Sequence, residues 1–495
     1  MSATPAKYPD LTTELRDRSL LGTLKIFGPG AIIASVTIGN GETIFASRGG
    51  AIFGYTLMWC FVLGAAIKFV QVYSGARFIT LTGRHPLESW AQLPGLRGWF
   101  VPVMTVLTLI CMPLFLGGGL PRMLGDFTNS IFGIAVTPES ATISAATAFE
   151  SKVTFDTFAR IWGTLYIVVA IGLTLYQTYG FLERVQTFVV GLLLFSMFIA
   201  VVASRPDLVA LVQGIFIPTI PHYEPWIIEK TTLATRDPWV EVIVYLGVIG
   251  GGTVDYFGYL GTLREKGWGL LTHSVAPHDR FQGSVDESRD NLALGRSWLR
   301  APKIDVGISF AAIIIFTLFF ATLGAAILHP NQIVPEAGAL ITKQEAFLVK
   351  DSQHPGVQWL LGLLYKTGIF FAFFGTMYGG YELYSRSVYE CLTVAVPKWK
   401  TVPLRVFRLW TCVVCGVVGL ALLWWNLDPV AVVTPAAIIS ATFTCGMWCF
   451  AMLGSNRLHL PEGLRMGPFL VTGLVISGLA LTVFGVLGFY LAYLG

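Results

Sequence analysis

Gly39-Asn40-Gly41-Glu42 lies inside the first long apolar stretch of the chain, residues 26–49, and Gly250-Gly251-Gly252-Thr253-Val254-Asp255 interrupts a later one, residues 239–262. Three consecutive glycines weaken a continuous helix, because glycine loses more conformational freedom on ordering than any other residue. Unwound backbone and an ionised side chain are both costly in hydrocarbon unless protein groups satisfy them. Two glycine-broken apolar stretches, each with a carboxylate at the break, point to the binding site of a membrane transporter.

Composition agrees with that class. Of the 495 residues, 54% are hydrophobic and 13% charged, against roughly 25% charged in a soluble domain. A span needs about 20 apolar residues to cross the hydrocarbon core, and on that measure the chain holds about eleven. They fall near residues 26–49, 52–81, 100–124, 160–179, 181–203, 239–262, 305–328, 357–391, 404–425, 429–452 and 467–494. Residues 1–18 are polar and lack the features of a secretory signal, so the N-terminus is expected to stay in the cytoplasm. Basic residues before span 1 (Lys7, Arg16, Arg18, Lys25), after span 6 (Arg264 through Lys303) and after span 8 (Arg386, Lys398, Lys400, Arg405) then share one side, as the positive-inside rule requires. The membrane expected is the cell or inner membrane, with lipid as the surrounding partner.

Spans 1–5 and 6–10 form two sets of five, each opening with a broken helix. One set starts inside and the other outside, so the halves read as inverted repeats with substrate held between the discontinuous helices near the midplane. The organisation expected is a cytoplasmic segment 1–25, a first repeat 26–203, an outer loop 204–238, a second repeat 239–452 and an added helix in 453–495. The outer segment 126–157, rich in Ser, Thr and Ala, reads as a surface loop, and the inner loop 268–303 as one that carries an amphipathic helix around residues 288–299.

Several classes are disfavoured. Walker A, Rossmann and nucleophile-elbow motifs are missing, and no span pairs a nucleophile with a base, so an enzyme is not expected. All seven cysteines fall in or beside spans without paired CxxC motifs, which argues against disulfides and structural zinc. The net charge of +4 is spread over inner loops and speaks for topology, not for nucleic acid. No cofactor is expected, and nothing in the sequence specifies an oligomeric state.

Gly28-Pro29-Gly30 ahead of the first break, Gly54-Tyr55 with Leu57 and Trp59, and Thr82-Gly83-Arg84 together resemble the first two spans of the Nramp divalent-metal transporters. Pro206-Asp207-Leu208 and the stretch from Gly214 to Pro218 resemble that family's approach to span 6. The resemblance covers most of spans 1–10 and implies an all-α, LeuT-like inverted repeat of five plus five helices with one helix added. Laid without gaps, the family's metal-binding Asp-Pro-Gly-Asn falls on Gly39-Asn40-Gly41-Glu42 and its Met-Pro-His on Asp255-Tyr256-Phe257. The scaffold matches and the site departs: the carboxylate moves to Glu42, and Asp255 stands where the family has a thioether.

Thioethers select softer metals, whereas carboxylate, carbonyl and water suit Mg, Ca and Mn. The sequence therefore predicts a transported hard divalent cation, Mg²⁺ or Mn²⁺, held by Glu42 and Asp255. The breaks at Gly39, Asn40, Gly41, Gly252 and Thr253 would supply further donors, with Ser35 and Thr37 in an outer shell. Tyr256 and Phe257 are expected to shape the cavity or close a gate. Span 3 lacks the acidic residues of the family's proton route, and Phe257 and Thr262 occupy its histidine positions, so a cycle without classical proton coupling is expected, with Na⁺ as a possible coupling ion. Lys68, and Glu382 with Arg386 one turn later, are candidates for an inner gate or for structural ion pairs. Two alternatives stand beside this reading: Glu42 and Asp255 cap the second half-helices, or the scaffold carries another small solute or anion. A sensor that binds without flux is a third, less favoured class.

Overall fold

The computed structural model describes residues 5–39, 41–134, 145–231, 233, 237–273, 284–334, 343–346, 348–349, 354–425, 427 and 429–493. Among them the chain is helical throughout, and the one strand-like contact is a bridge between Ala6 and Val285. Nine helices of the described residues are long and apolar enough to cross a membrane. Two more apolar stretches are built from pairs of shorter helices, at the positions expected for spans 1 and 6.

The first of these pairs is α1 (Pro29–Thr37) and α2 (Ala46–Phe53), joined through a π-helical turn at Gly41–Phe45. Proline at the first position of α1 lacks only an N–H that a helix start leaves unused. Helix α3 (Met58–Thr82) follows and ends at Gly83, whose φ of 65° lets its N–H bond the Ile79 carbonyl. Then come α4 (Phe100–Gly117), α5 (Leu120–Ile131), α6 (Ala145–Tyr176) and α7 (Tyr179–Ala203). The second pair is α8 (Pro238–Val248), capped by Asp237 on the Trp239 N–H, and α9 (Thr253–Thr262). After it run α10 (Arg300–Leu323), α11 (Pro355–Ala395) and α12 (Leu404–Trp424). A π-helical stretch, Ala437–Phe443, leads into α13 (Thr444–His459), and α14 (Pro468–Tyr493) closes the chain.

Two sequence expectations change. The first span runs from 29 to 53, because Gly54 with φ 58° ends it, and not from 26 to 49. Residues 120–131 and 145–157 are helical, so most of the segment read as a Ser/Thr/Ala-rich loop is helix; the alanines there favour helix more than the hydroxyls oppose it. Within 268–303, residues Arg289–Trp298 form a helix, with Asn291, Gly295 and Trp298 buried.

Burial separates an inner from an outer ring. Only 28% of the apolar window is buried in α6 and in α14, against 61% in α3. Helix α1 packs against α7, α10 and α11, and α9 against α11 and α1. Both interrupted spans thus lie at the centre, where neighbouring helices can supply partners to the freed backbone.

Candidate functional site

At the first break, Ile38 leaves helical geometry with ψ 58°. Its carbonyl and that of Ser35 both accept from the Thr376 hydroxyl of α11, at 3.1 and 2.9 Å. The Gly39 carbonyl accepts from Thr43 Oγ1 at 2.5 Å. Asn40 lies outside the described residues.

The second break is Ile249 through Gly252. Gly250 and Gly251 both hold φ at 82°, a region open to glycine and strained for other residues. Several polar groups given up by the helix meet side chains. Gly250 N–H donates to Glu42 Oε1 at 2.8 Å, and the Tyr256 hydroxyl donates to the Gly250 carbonyl at 2.7 Å. The fully buried Lys68 ammonium, reaching in from α3, donates to the Gly247 carbonyl and, at 2.6 Å, to that of Gly251. Asp255 Oδ2 accepts from Gly252 N–H at 2.7 Å and so caps α9. The Tyr384 hydroxyl of α11 also bonds the Asp255 carboxylate. Thr253 joins a hydroxyl cluster with Thr444 at 2.7 Å and Ser440 at 3.2 Å.

Between the breaks lies a cavity of about 60 Å³. Its polar wall is Thr37, Gly39, Gly251, Gly252, Asp255, Thr376 and Tyr384, and its apolar wall runs along Phe115, Leu116 and Leu120. Among the described residues no three His, Cys, Asp or Glu side chains converge as a metal cluster would need.

On the side of the breaks nearer the N-terminal segment, charges interlock. Arg386 bonds Glu382 at 2.9 Å and Glu265 at 3.0 Å, and Arg408 reaches Glu382 at 2.7 Å. Arg264, just past α9, pairs with Glu390 at 2.8 Å and Glu88 at 3.4 Å, and Lys266 with Glu183 at 2.5 Å. Burial works against the Arg264 charge, but Glu390 and Glu88 outweigh it and lift the guanidinium above its ordinary range. Asp305 Oδ1 accepts from the N–H groups of Gly28 and Gly30, both at 3.0 Å, and its Oδ2 accepts from Tyr259 at 2.8 Å. The N-terminus of α1 and the C-terminus of α9 are thereby tied to α10 and α11.

The family model described as Natural resistance-associated macrophage protein-like, Nramp, matches residues 30–492. The chain belongs to the Nramp family. Among solved structures, the Eremococcus coleocola manganese transporter in complex with an aromatic bis-isothiourea substituted compound is similar at 12% identity and TM-score 0.63, over 98% of this chain and 89% of that one. A single-residue mutant of the same transporter gives 13% identity and TM-score 0.62 over the same shares. MhsT in complex with L-phenylalanine gives 14% and 0.53, over 96% and 99%. These likenesses bear on the fold, which is the LeuT-like one. No curated protein matches the sequence. This Nramp protein is a membrane transporter and not an enzyme.

The expected site residues separate in this Nramp chain. Gly39, Gly252 and Asp255 line the cavity. Glu42 does not: it is fully buried behind the second break, one oxygen on Gly250 N–H and Oε2 without a partner among the described residues. Gly41 opens the π-helical turn. Thr253 and Tyr256 serve the backbone and hydroxyls of the second break. Phe257 is turned away from the cavity, stacked on Trp448 at 5.2 Å with Trp90 at 5.8 Å, so it shapes no cavity wall. Lys68, a candidate for an inner gate or for a structural role, lies at the second break. Glu382 and Arg386 belong to the charged network on the side nearer the N-terminal segment.

The sequence marks neither Thr376 nor Asp305, and it reads Tyr384, with Tyr378, Tyr381 and Tyr389, as packing or marking an interface and not as gripping a ligand. The signal on α11 was a stripe of small residues: a Cβ at Gly379 would stand 2.8 Å from Val36 Cγ2, and one at Gly375 would stand 2.9 Å from Ser35 Oγ. That stripe brings α11 against α1 and carries Thr376 with it. Asp305, an acid at the start of an apolar span, is the type of residue that needs a named partner.

Proposed function

We propose that this Nramp transporter moves a small hard divalent cation, Mg²⁺ or Mn²⁺, by alternating access. The observation that carries the reading is the cavity wall. Its polar donors are all oxygen, from the Asp255 carboxylate, three hydroxyls and the unwound backbone, with no thioether, thiol or imidazole among the lining residues. Oxygen donors suit Mg and Mn, and a single carboxylate with retained water is a common way to hold Mg²⁺. About 60 Å³ is room for an ion with a few waters, and far below the roughly 300 Å³ at which pockets for organic ligands begin. The family's metal transport and the manganese transporter of similar fold accord with it. Asp255 would be the one charged ligand and Glu42 the support of the second break. Charges interlocked on the N-terminal side and a cavity away from them support reading the conformation as an outward-facing state.

We further propose that the cycle runs without the family's proton relay. Span 3 carries no acid from Val106 to Pro113, and the Lys68 ammonium already fills the carbonyl-lined end of α8 where a coupling cation would bind. In proteoliposomes with a divalent-sensing dye and a luminal pH dye, Mg²⁺ or Mn²⁺ entry is expected without acidification, without a sodium requirement and without competition from amino acids. Proton entry in step with the metal would overturn the coupling part; no divalent flux at all would overturn the reading.

A further inference from the structure

At the inner end of α13 two cavities of about 460 Å³ each share a boundary at Arg457 and Leu458. They differ in chemistry. The first is an apolar groove between Phe450, Ala451 and Gly454 of α13 and Leu93, Pro94 and Leu96 of the segment before α4. Phe450, Gly454, Arg457 and Leu458 follow i, i+4, i+7, i+8 spacing and so form one helix face. From Phe450 to Arg457 that face runs about 10 Å along the helix. Gly454 keeps the groove deep: a Cβ there would stand 3.0 Å from the Leu93 side chain. Phe450 and Leu458 are 41% and 49% exposed.

The second cavity is polar, and among the described residues its walls carry Arg84, Arg457 and Arg465 against one carboxylate, that of Glu287. Arg465 also reaches Glu462 at 3.4 Å and the Leu460 carbonyl at 3.2 Å. His459 lines the same cavity, with Nε2 buried and unpartnered among the described residues. Thr82 and Arg84 place it at the end of α3 where Tyr8 of the N-terminal segment docks on Leu81, the membrane face that carries the basic loops.

An apolar channel that ends in a cluster of guanidiniums is complementary to one kind of molecule, an amphiphile with an anionic head. We propose that the two cavities form one site for an acidic phospholipid, acyl chain against Phe450 and Gly454 and phosphate among Arg84, Arg457 and Arg465. Basic pockets between spans on the cytoplasmic side are suited to such headgroups, and a free anion would have no use for the groove. The site shares no lining residue with the central cavity, and it stands independently of which ion is carried.

The test uses full-length protein in mixed phosphatidylglycerol and phosphatidylcholine vesicles, extracted in detergent, with co-purified lipid counted by mass spectrometry and melting temperature followed on adding each lipid or inorganic phosphate. The wild type is expected to retain phosphatidylglycerol over phosphatidylcholine. Arg457→Gln should weaken that preference roughly fivefold, the effect of losing one basic residue at an anionic surface. Gly454→Leu, which fills the groove without changing charge, should weaken it as well while melting normally in phosphatidylcholine. Equal retention of the two lipids by the wild type would overturn the proposal. So would stabilisation by inorganic phosphate alone that Arg457→Gln abolishes, which would make the site one for a soluble anion, or a folded Gly454→Leu protein with its preference intact. Should Gly454→Leu fail to fold, Arg457→Gln decides, retention of the preference there being the overturning result.

Discussion

The two broken spans of this transporter solve the same problem with different partners. At the first break the freed carbonyls of Ser35, Ile38 and Gly39 are met by neutral hydroxyls, Thr376 and Thr43. At the second, ionisable side chains do most of the work: Lys68 on the carbonyls of Gly247 and Gly251, Glu42 on Gly250 N–H and Asp255 on Gly252 N–H. A hydroxyl bond exchanges readily with water or an ion, whereas a buried charge left without its partner is costly. The first break is therefore the adaptable side of the cavity and the second its fixed frame.

Removing the tether should show the largest effect. Lys68→Met takes the ammonium from the Gly247 carbonyl, leaves that of Gly251 only the Tyr256 hydroxyl at 3.3 Å, removes the buried positive charge beside the break, and should cost about 3–5 kcal/mol of stability, read as a lower melting temperature of the purified protein. An unchanged melting temperature would erase the distinction between the breaks. The next effect divides the two carboxylates. The asparagine amide oxygen can accept the Gly252 N–H as the Asp255 carboxylate does, so Asp255→Asn should melt close to the wild type yet bind Mg²⁺ or Mn²⁺ at least tenfold more weakly, since a full charge about 4 Å from an ion is worth about 4 kcal/mol per unit of ion charge near an effective dielectric of 20. Glu42→Gln should do the reverse, lowering the melting temperature with the smaller change in affinity by titration calorimetry; equal losses of affinity in both would place Glu42 among the ligands after all. The smallest effect belongs to the first break. Thr376→Val removes one hydroxyl from two carbonyls and should cost roughly 1 kcal/mol, with uptake slowed more than folding is harmed.

Much of this arrangement could be read from the chain, and the limits of the reading have a physical cause. The breaks were legible because glycine runs and carboxylates are improbable in an apolar stretch, whatever surrounds them. The family scaffold was legible from Gly28-Pro29-Gly30 and the motifs after it. What the sequence could not assign was which carboxylate faces the cavity. Glu42 and Asp255 occupy equivalent places after their breaks, and only packing decides that one lines the cavity while the other is sealed behind Gly250. Lys68 was noticed as a charge in a span, but its partner Gly251 is 183 residues away, a distance across which periodicity carries no information. Tyr384 was passed over for the same reason: among the tyrosines of α11, nothing local marks the one that reaches Asp255.

The charged network beneath the breaks bears on how the carrier responds to heat. Opening that end exchanges the partners of Arg386, Glu382, Arg264 and Glu390 for water, so the lost pairing is offset by hydration of the ions. An apolar plug would receive no such return and would resist opening by roughly 25 cal/mol for every Å² wetted. Ion hydration grows less favourable as temperature rises. Warming should therefore shift the resting population toward the form with its inner mouth shut, so that the rate of turnover would climb less steeply with temperature than the opening step alone would suggest.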